Sequence, residues 1–358
     1  MIQRIVHVAM CVFVLSAILA GYVPETTRPL EGNCPVADRW NMTQAVNRRW
    51  FAFVGPNVLC AAGAGNACRQ AVQATIQASF AQWSSVPGAA LNFSALTSDS
   101  VVPCDPVADG RNLVCLDSQA GAQLGPGILA VSVIITARAA GASLGGRTAA
   151  FAGEILDADT VFNPFFFTFA TPDALAANPS AYDFQTILTH ELGHWLGLDH
   201  SPLWQAAMWP EAVPAGQAGR ALSSDDRIAV AALYPAAGTG PGITTGILSG
   251  KVTLPPDAAA SSPGLPVFGA HIVVVDATSG EAVTGGIAGW SCSNNQILLD
   301  GSYEIRGMPF GTYFLYAEPL DGPMDSSALP SFLAPIESGR AGFDPPPRFD
   351  LSFTTRFH

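Results

Sequence analysis

Residues 190–200 read HELGHWLGLDH, and no other stretch limits the fold of this chain so tightly. On a helix, residues four apart share a face, so His190 and His194 can present two imidazoles to one ion, with Glu191 beside it. Gly197 can take the left-handed conformation that ends a helix. The chain can then fold back and offer His200 as a third ligand, leaving a fourth position open to water. One catalytic Zn2+ suits three imidazoles, and a carboxylate next to metal-held water is the arrangement that hydrolysis needs. Leu188, Leu192, Trp195 and Leu196, which flank these residues, read as core packing for the same helix.

The surrounding sequence supplies the elements to bury such a helix. Asp183, in YDFQT, is placed to cap its first amides. From Ala67 to Trp83, Ala71, Ile76, Phe80 and Trp83 recur at helical spacing and predict a first long helix. The β-branched run ILAVSVIITA between Gly127 and Ala137 predicts a buried strand, and a second should end near Asn163-Pro164. Arg48 to Phe53 could open another. A last helix is predicted over Ser224 to Leu233, stopped before Tyr234-Pro235. Asp157 and Asp159 in the second buried strand are candidate Ca2+ ligands, although paired aspartates of this kind are more often solvated turn residues.

Beyond Pro235 the text changes character. AAGTGPGITTG is small and Gly-rich, as a linker would be. Short β-rich runs follow, among them GKVTL, AHIVVV, SYEI and TYFLYA, separated by Gly, Pro and Asp turns, which argues for an antiparallel β-sandwich. At the other end, Arg4 precedes an apolar run from Ile5 to Ala20 and then Gly21, the layout of a signal peptide cleaved near Ala20 or Gly21. The expected organisation is therefore a signal peptide over 1–21, an N-terminal segment over 22–44, a catalytic-type domain over 45–236, a linker over 237–246 and an all-β domain over 247–358.

Charge and cysteines set the surroundings. The formal charge is -12 and Lys251 is the one lysine among sixteen basic residues, so no basic stripe exists to neutralise a phosphate backbone, and nucleic acid is not an expected partner. No membrane contact is expected once the signal segment is removed. That removal takes Cys11 and leaves Cys34, Cys60, Cys68, Cys104, Cys115 and Cys292, an even number in an exported chain, hence disulfides. Short separation favours Cys60 with Cys68 and Cys104 with Cys115, leaving Cys34 and Cys292 unassigned.

HELGHWLGLDHS, then Met208 in AMWP, then LSSDDRI and ALYP together resemble the matrixins, a group of metzincin metallopeptidases. The resemblance covers about residues 45–235 and is specific from 182 onward. It implies an α+β fold: a metzincin (zincin-like) catalytic domain in which a twisted, mixed sheet of five strands lies above the active-site helix and an edge strand aligns extended substrate. It also implies that Met208 forms an apolar base beneath the zinc histidines, and that the activity is that of an endopeptidase on protein or peptide substrates. Animal matrixins hold a second, structural zinc; the remaining histidines here are His7, His271 and His358, so that site is expected to be absent. Cys34, in GNCP, stands where a latency thiol could act, with a disulfide as the favoured role.

The C-terminal stretch resembles carboxypeptidase-regulatory-like or transthyretin-like β-sandwich modules. The combined expectation is a secreted zinc endopeptidase with His190, His194 and His200 as metal ligands and Glu191 as general base. The alternative is an extracellular binding or adhesion protein whose metallopeptidase domain is vestigial. Oligomeric state and cleavage specificity are not legible in the sequence.

Overall fold

The computed structural model describes residues 2–8, 22–52, 59–60, 65–98, 104, 106–254, 264–320, 349, 353 and 355–357. Most of the predicted signal segment (residues 1 and 9–21), the end of the predicted Arg48–Phe53 strand and most of the chain after residue 320 lie outside the described residues.

The core is a sheet of six strands rather than five, because Ile2–Val8 of the predicted signal segment adds a strand at one edge. In chain order its strands are β1 (Ile2–Val8), β2 (Val46–Ala52), β3 (Phe93–Ser98), β4 (Leu113–Leu116), β5 (Ala130–Ala137) and β6 (Ile155–Phe162), and across the sheet they run β1-β5-β6-β4-β2-β3. The pairs β6–β4, β4–β2 and β2–β3 are parallel, whereas β5 is antiparallel to β6. Every residue of β5 and β6 is buried, as β-branched runs closed by glycine and Asn-Pro predict. β1 lies antiparallel on the other edge of β5, from Ile2 opposite Ala137 to Val8 opposite Val131.

Two helices pack on this sheet. Helix α1 (Gly65–Ser84) buries Ile76, Phe80 and Trp83 as its helical spacing predicts, with Val72 buried in place of the half-buried Ala71. Helix α2 (Phe184–Trp195) carries the first two histidines and lies against it. The contact is partly polar, since Trp83 Nε1 donates to the Thr189 carbonyl over 3.0 Å and Ser79 Oγ donates to that of Gln185 over 3.4 Å. It is also aromatic, with the Phe80 and Trp195 rings edge to face at 5.5 Å. At Gly193 the helices and the methionine turn meet so closely that a Cβ would overlap the Met208 sulfur and crowd Trp83.

Helix α3 (Ser224–Leu233) begins with a capping box formed by Ser223 and Asp226. After it come β7 (Thr245–Lys251), β8 (Ala270–Asp276), β9 (Ala282–Ala288), β10 (Ser302–Pro309), β11 (Tyr313–Pro319) and β12 (Arg356–Phe357). They form a two-stranded β7–β10 ladder and a four-stranded sheet ordered β9-β8-β11-β12, all antiparallel. The predicted linker is ordered against the rest: the Ala236 amide donates to Gly88 and β7 already starts at Thr245. One apolar cluster runs without a break from Trp40, Trp50 and Phe80 through Ile228 and Ala229 to Ile272, Ile305 and Met308, so the two regions share a core.

Among the described residues there are three disulfides. Cys60–Cys68 and Cys104–Cys115 are the short-range pairs favoured by the sequence. The third joins Cys34 to Cys292 across 258 residues and ties the N-terminal segment to the C-terminal strands.

Gly193→Ala should overpack the junction of α1, α2 and the methionine turn and destabilise the protein by about 1–3 kcal/mol. Urea unfolding of both proteins checks this; an unchanged midpoint would show that the junction can relax.

Candidate active site

Helix α2 starts where the sequence predicts. Asp183 Oδ1 accepts from the Thr186 amide at 2.7 Å, and the same carboxylate is gripped by Arg220 at 2.5 and 3.0 Å. The helix ends in a Schellman arrangement, with Gly197 N donating to His194 O at 2.9 Å and Leu198 N to Gly193 O at 3.0 Å. Gly197 has φ +82°, and any side chain there would strike the Asp38 carbonyl. Two carbonyls that the broken helix leaves without intrahelical partners are satisfied from outside, Trp195 O by the Trp40 indole at 2.6 Å and Leu196 O by the Tyr234 hydroxyl at 2.9 Å.

This ending turns the chain back and delivers His200 to the pair on the helix. The ligand-capable atoms of His190, His194 and His200 all lie within 4.8 Å of one another, and all three residues are buried. Their ring centroids stand 4.9, 5.2 and 5.1 Å apart. Such a group can hold a metal ion, and among the described residues it is the one cluster of three that can.

Each ring is aimed by what its Nδ1 meets. His190 Nδ1 lies 2.7 Å from the Ala207 carbonyl, and His194 Nδ1 lies 2.8 Å from Leu198 O and 3.1 Å from Glu25 Oε1. Donation from Nδ1 leaves Nε2 with its lone pair, and His190 Nε2 is buried without a protein hydrogen bond. Burial, followed by the neighbouring His200, pushes the His190 pKa down to about 3, so that ring is neutral and able to bind a metal.

The turn beneath the histidines is itself anchored. Asp226 accepts from the amides of Ala207 at 2.8 Å and Met208 at 3.2 Å, while Ser201 N donates to Met208 O at 2.9 Å. The first turn of α3 therefore fixes the carbonyl that orients His190. Asp225 reaches the other way: it accepts from Ser201 Oγ at 2.6 Å and from Thr284 Oγ1 and Gly285 N of β9 at 2.5 and 3.2 Å. Burial, reinforced by Asp226, pushes Asp225 up to about 7.

Glu191 is fully buried, and burial raises its carboxyl to about 8 against the lowering effect of Ser132. Ser132 Oγ, on β5, lies 2.8 Å from Glu191 Oε2 and 2.8 Å from Thr160 Oγ1, whose oxygen also accepts from Trp195 Nε1 at 2.8 Å. Trp195 can only donate, so the proton order that satisfies every atom runs from Trp195 to Thr160, to Ser132, to Glu191. Glu191 Oε1 is left without a protein partner. Ser132, Thr160, Glu25 and Asp225 are residues the motif does not reveal. Asp225 had a partial signal in the Asp-Asp cap of the last helix, and Ser132 stood out only as the polar residue within an apolar run.

Residues 140–235 match the family model described as Matrixin. A 73-residue stretch is 38% identical to Metalloendoproteinase 4-MMP of Arabidopsis thaliana, covering 20% of this chain and 20% of that protein. The match thus spans about a fifth of the relative's length. These matches and the three-histidine cluster fit a resemblance to the matrixin-like metzincins over residues 140–235.

Asp157 and Asp159, the candidate Ca2+ ligands, are both buried in β6. Asp159 Oδ1 accepts from Leu113 N at 2.8 Å, and Arg49 is paired nearby with Asp109 at 3.5 Å. Burial raises Asp159 to about 9, with repulsion from Asp157 next; Asp157 rises to about 7 by burial and then by Asp109. A raised folded-state pKa means stability that is complete below the ordinary carboxylate pKa near 4 and is lost as pH climbs to about 9. Asp159→Asn should therefore melt above wild type at pH 8–9, with the gap closing toward pH 4. Calorimetry across that range tests this; a pH-independent gap would refute it, and a calcium-dependent rise in melting temperature confined to wild type would favour a cation site.

Proposed function

We propose that the chain is a secreted zinc-dependent endopeptidase acting on protein or peptide substrates, with His190, His194 and His200 as ligands to one catalytic ion and Glu191 as general base. The observation that carries this reading is the convergence of three buried imidazoles beside a buried carboxylate within the segment that matches Matrixin. The donor set fits zinc: three neutral nitrogens leave room for a water ligand. His190 Nε2 and Glu191 Oε1, buried and without protein hydrogen bonds, are the kind of polar atoms that a non-protein partner satisfies. Zinc, when bound, supplies acidity to its water and polarises the scissile carbonyl.

The protein's part follows from its own contacts. Ser132 holds Glu191 Oε2, which leaves Oε1 to take a proton from the attacking water and return it to the leaving amine. Met208 and Leu192 belong to the apolar cluster beneath the histidines. An extended peptide would lie along β5, whose edge accepts an antiparallel strand over seven residues when β1 occupies it. If export removes residues 1–21 as the sequence predicts, that edge is vacated. Three disulfides suit an oxidising compartment. The C-terminal strands are proposed as a β-sandwich accessory module.

Glu191→Ala should keep one zinc per chain and lose roughly 10²–10⁴-fold in hydrolysis of a denatured protein. Metal analysis paired with a chelator-controlled cleavage assay tests it: zinc loss with intact hydrolysis would reverse the roles, and zinc bound by wild type without cleavage of several unfolded substrates would favour a vestigial domain. Ser132→Ala should lower kcat by about tenfold, equivalent to ~1.4 kcal/mol, with KM and zinc content near wild type. A change confined to KM would place Ser132 in substrate binding instead.

A further inference from the structure

The N-terminal segment contributes a buried carboxylate to the histidine cluster. Residues 22–27 run antiparallel to the loop between His194 and His200, with Pro24 bridged to Leu198, Glu25 N donating to Gly197 O at 2.7 Å and Asp199 N donating to Val23 O at 2.7 Å. Further along, the Asp38 amide donates to Glu25 O at 2.7 Å, and Thr27 Oγ1 meets Thr136 Oγ1 of β5 at 2.5 Å. The segment is therefore fixed on both sides, and Cys34 beyond it is bonded to Cys292. None of it falls within residues 140–235 that match Matrixin.

This path drives Glu25 into the interior. It has no solvent exposure, and its Oε1 lies 3.1 Å from His194 Nδ1. A buried carboxylate costs several kcal/mol unless a donor of positive character meets it. An imidazole Nδ1–H gains that character when the opposite nitrogen binds a cation, and in return the carboxylate raises the ring's basicity and fixes its tilt. Here the acid comes from a segment about 170 residues away in sequence.

Building on the reading of His190, His194 and His200 as a zinc site, we propose that Glu25 is a positioning residue of that site: its carboxylate orients His194 and strengthens it as a ligand, and the rest of the N-terminal segment serves to hold that one side chain in place.

The test is zinc affinity of the full chain, measured by competition with a chromophoric chelator alongside the melting temperature of the zinc-free protein. Glu25→Gln keeps size and shape and should weaken zinc binding by about 10–100-fold. Thr27→Val is the matched control. It removes the contact with Thr136 and loosens the same segment, so it should lower the zinc-free melting temperature while leaving zinc affinity at the wild-type value. Zinc affinity unchanged in Glu25→Gln overturns the assignment. So does an equal loss in Thr27→Val, since that would reduce the effect to general stability of the segment. If Glu25→Gln also lowers the zinc-free melting temperature, a zinc defect no larger than that of a Thr27 variant of equal stability overturns it as well. Failure of the underlying site is distinguishable: wild type would then take up no zinc, or take it up equally after His190→Ala.

Discussion

The left-handed turn at Gly197 is the constraint on which the site depends. A helix can place two imidazoles on one face, but a third on the next turn, though on that same face, would lie about 12 Å along the axis from the first, too far to share one ion with it. The chain has to stop abruptly after His194 and reverse within six residues. Stopping a buried helix exposes carbonyls that need donors, and Trp40 and Tyr234 supply them from opposite ends of the domain. The same crowding forbids a side chain at Gly197, where the Asp38 backbone occupies the space. The arrangement of the three histidines is thus held by groups outside the cluster, in the sense that a preorganised site needs support one layer out.

That support is largely carboxylate. Asp183 starts the helix, Asp226 grips the turn beneath it, Asp225 joins that turn to β9, and Glu25 meets His194. Each of these carboxylates has donors close by, as burial of a charge requires. Even so, burial outweighs the hydrogen bonds in Asp225 and Glu191, whose pKa values rise.

Features governed by local physics were legible in the sequence. Asp183 caps a helix because a short side chain next to free amides can do little else, and the spacing of Ile76, Phe80 and Trp83 admits one buried face. The two short disulfides follow from proximity along the chain, and HELGHWLGLDH gave the histidine set because both its helix and its break are encoded in eleven consecutive residues. What stayed hidden depends on how distant segments meet. Cys34 and Cys292 are separated by 258 positions, and nothing local distinguishes that pairing. Ser132 reads as one small residue in an apolar strand until β5 is laid over α2. Glu25 sits in a Pro-containing stretch that looks like a leader, and it acquires meaning only through backbone pairing with residues 197–199.

The Gly-rich stretch read as an interdomain linker shows how tertiary packing acts on such a segment. Gly-rich text predicts flexibility when its ends are free, but here both ends are packed: the Ala236 amide bonds back to Gly88, and β7 pairs with β10. Helix α3 presents Ile228 and Ala229 to a cluster that continues into Ile305 and Met308, while its first turn offers Asp225 to Thr284 and Gly285. On the opposite side, Val23 packs with Phe268, Ile287 and Trp290. The C-terminal strands therefore hold both supports of the histidine cluster, the methionine turn through Asp225 and Ser201 and the N-terminal segment through Val23 and Cys34. Loosening them would be felt at the histidines before it was felt in the sheet, because Ala207, whose carbonyl orients His190, and Glu25, which shares His194 Nδ1 with the Leu198 carbonyl, both lie on those supports.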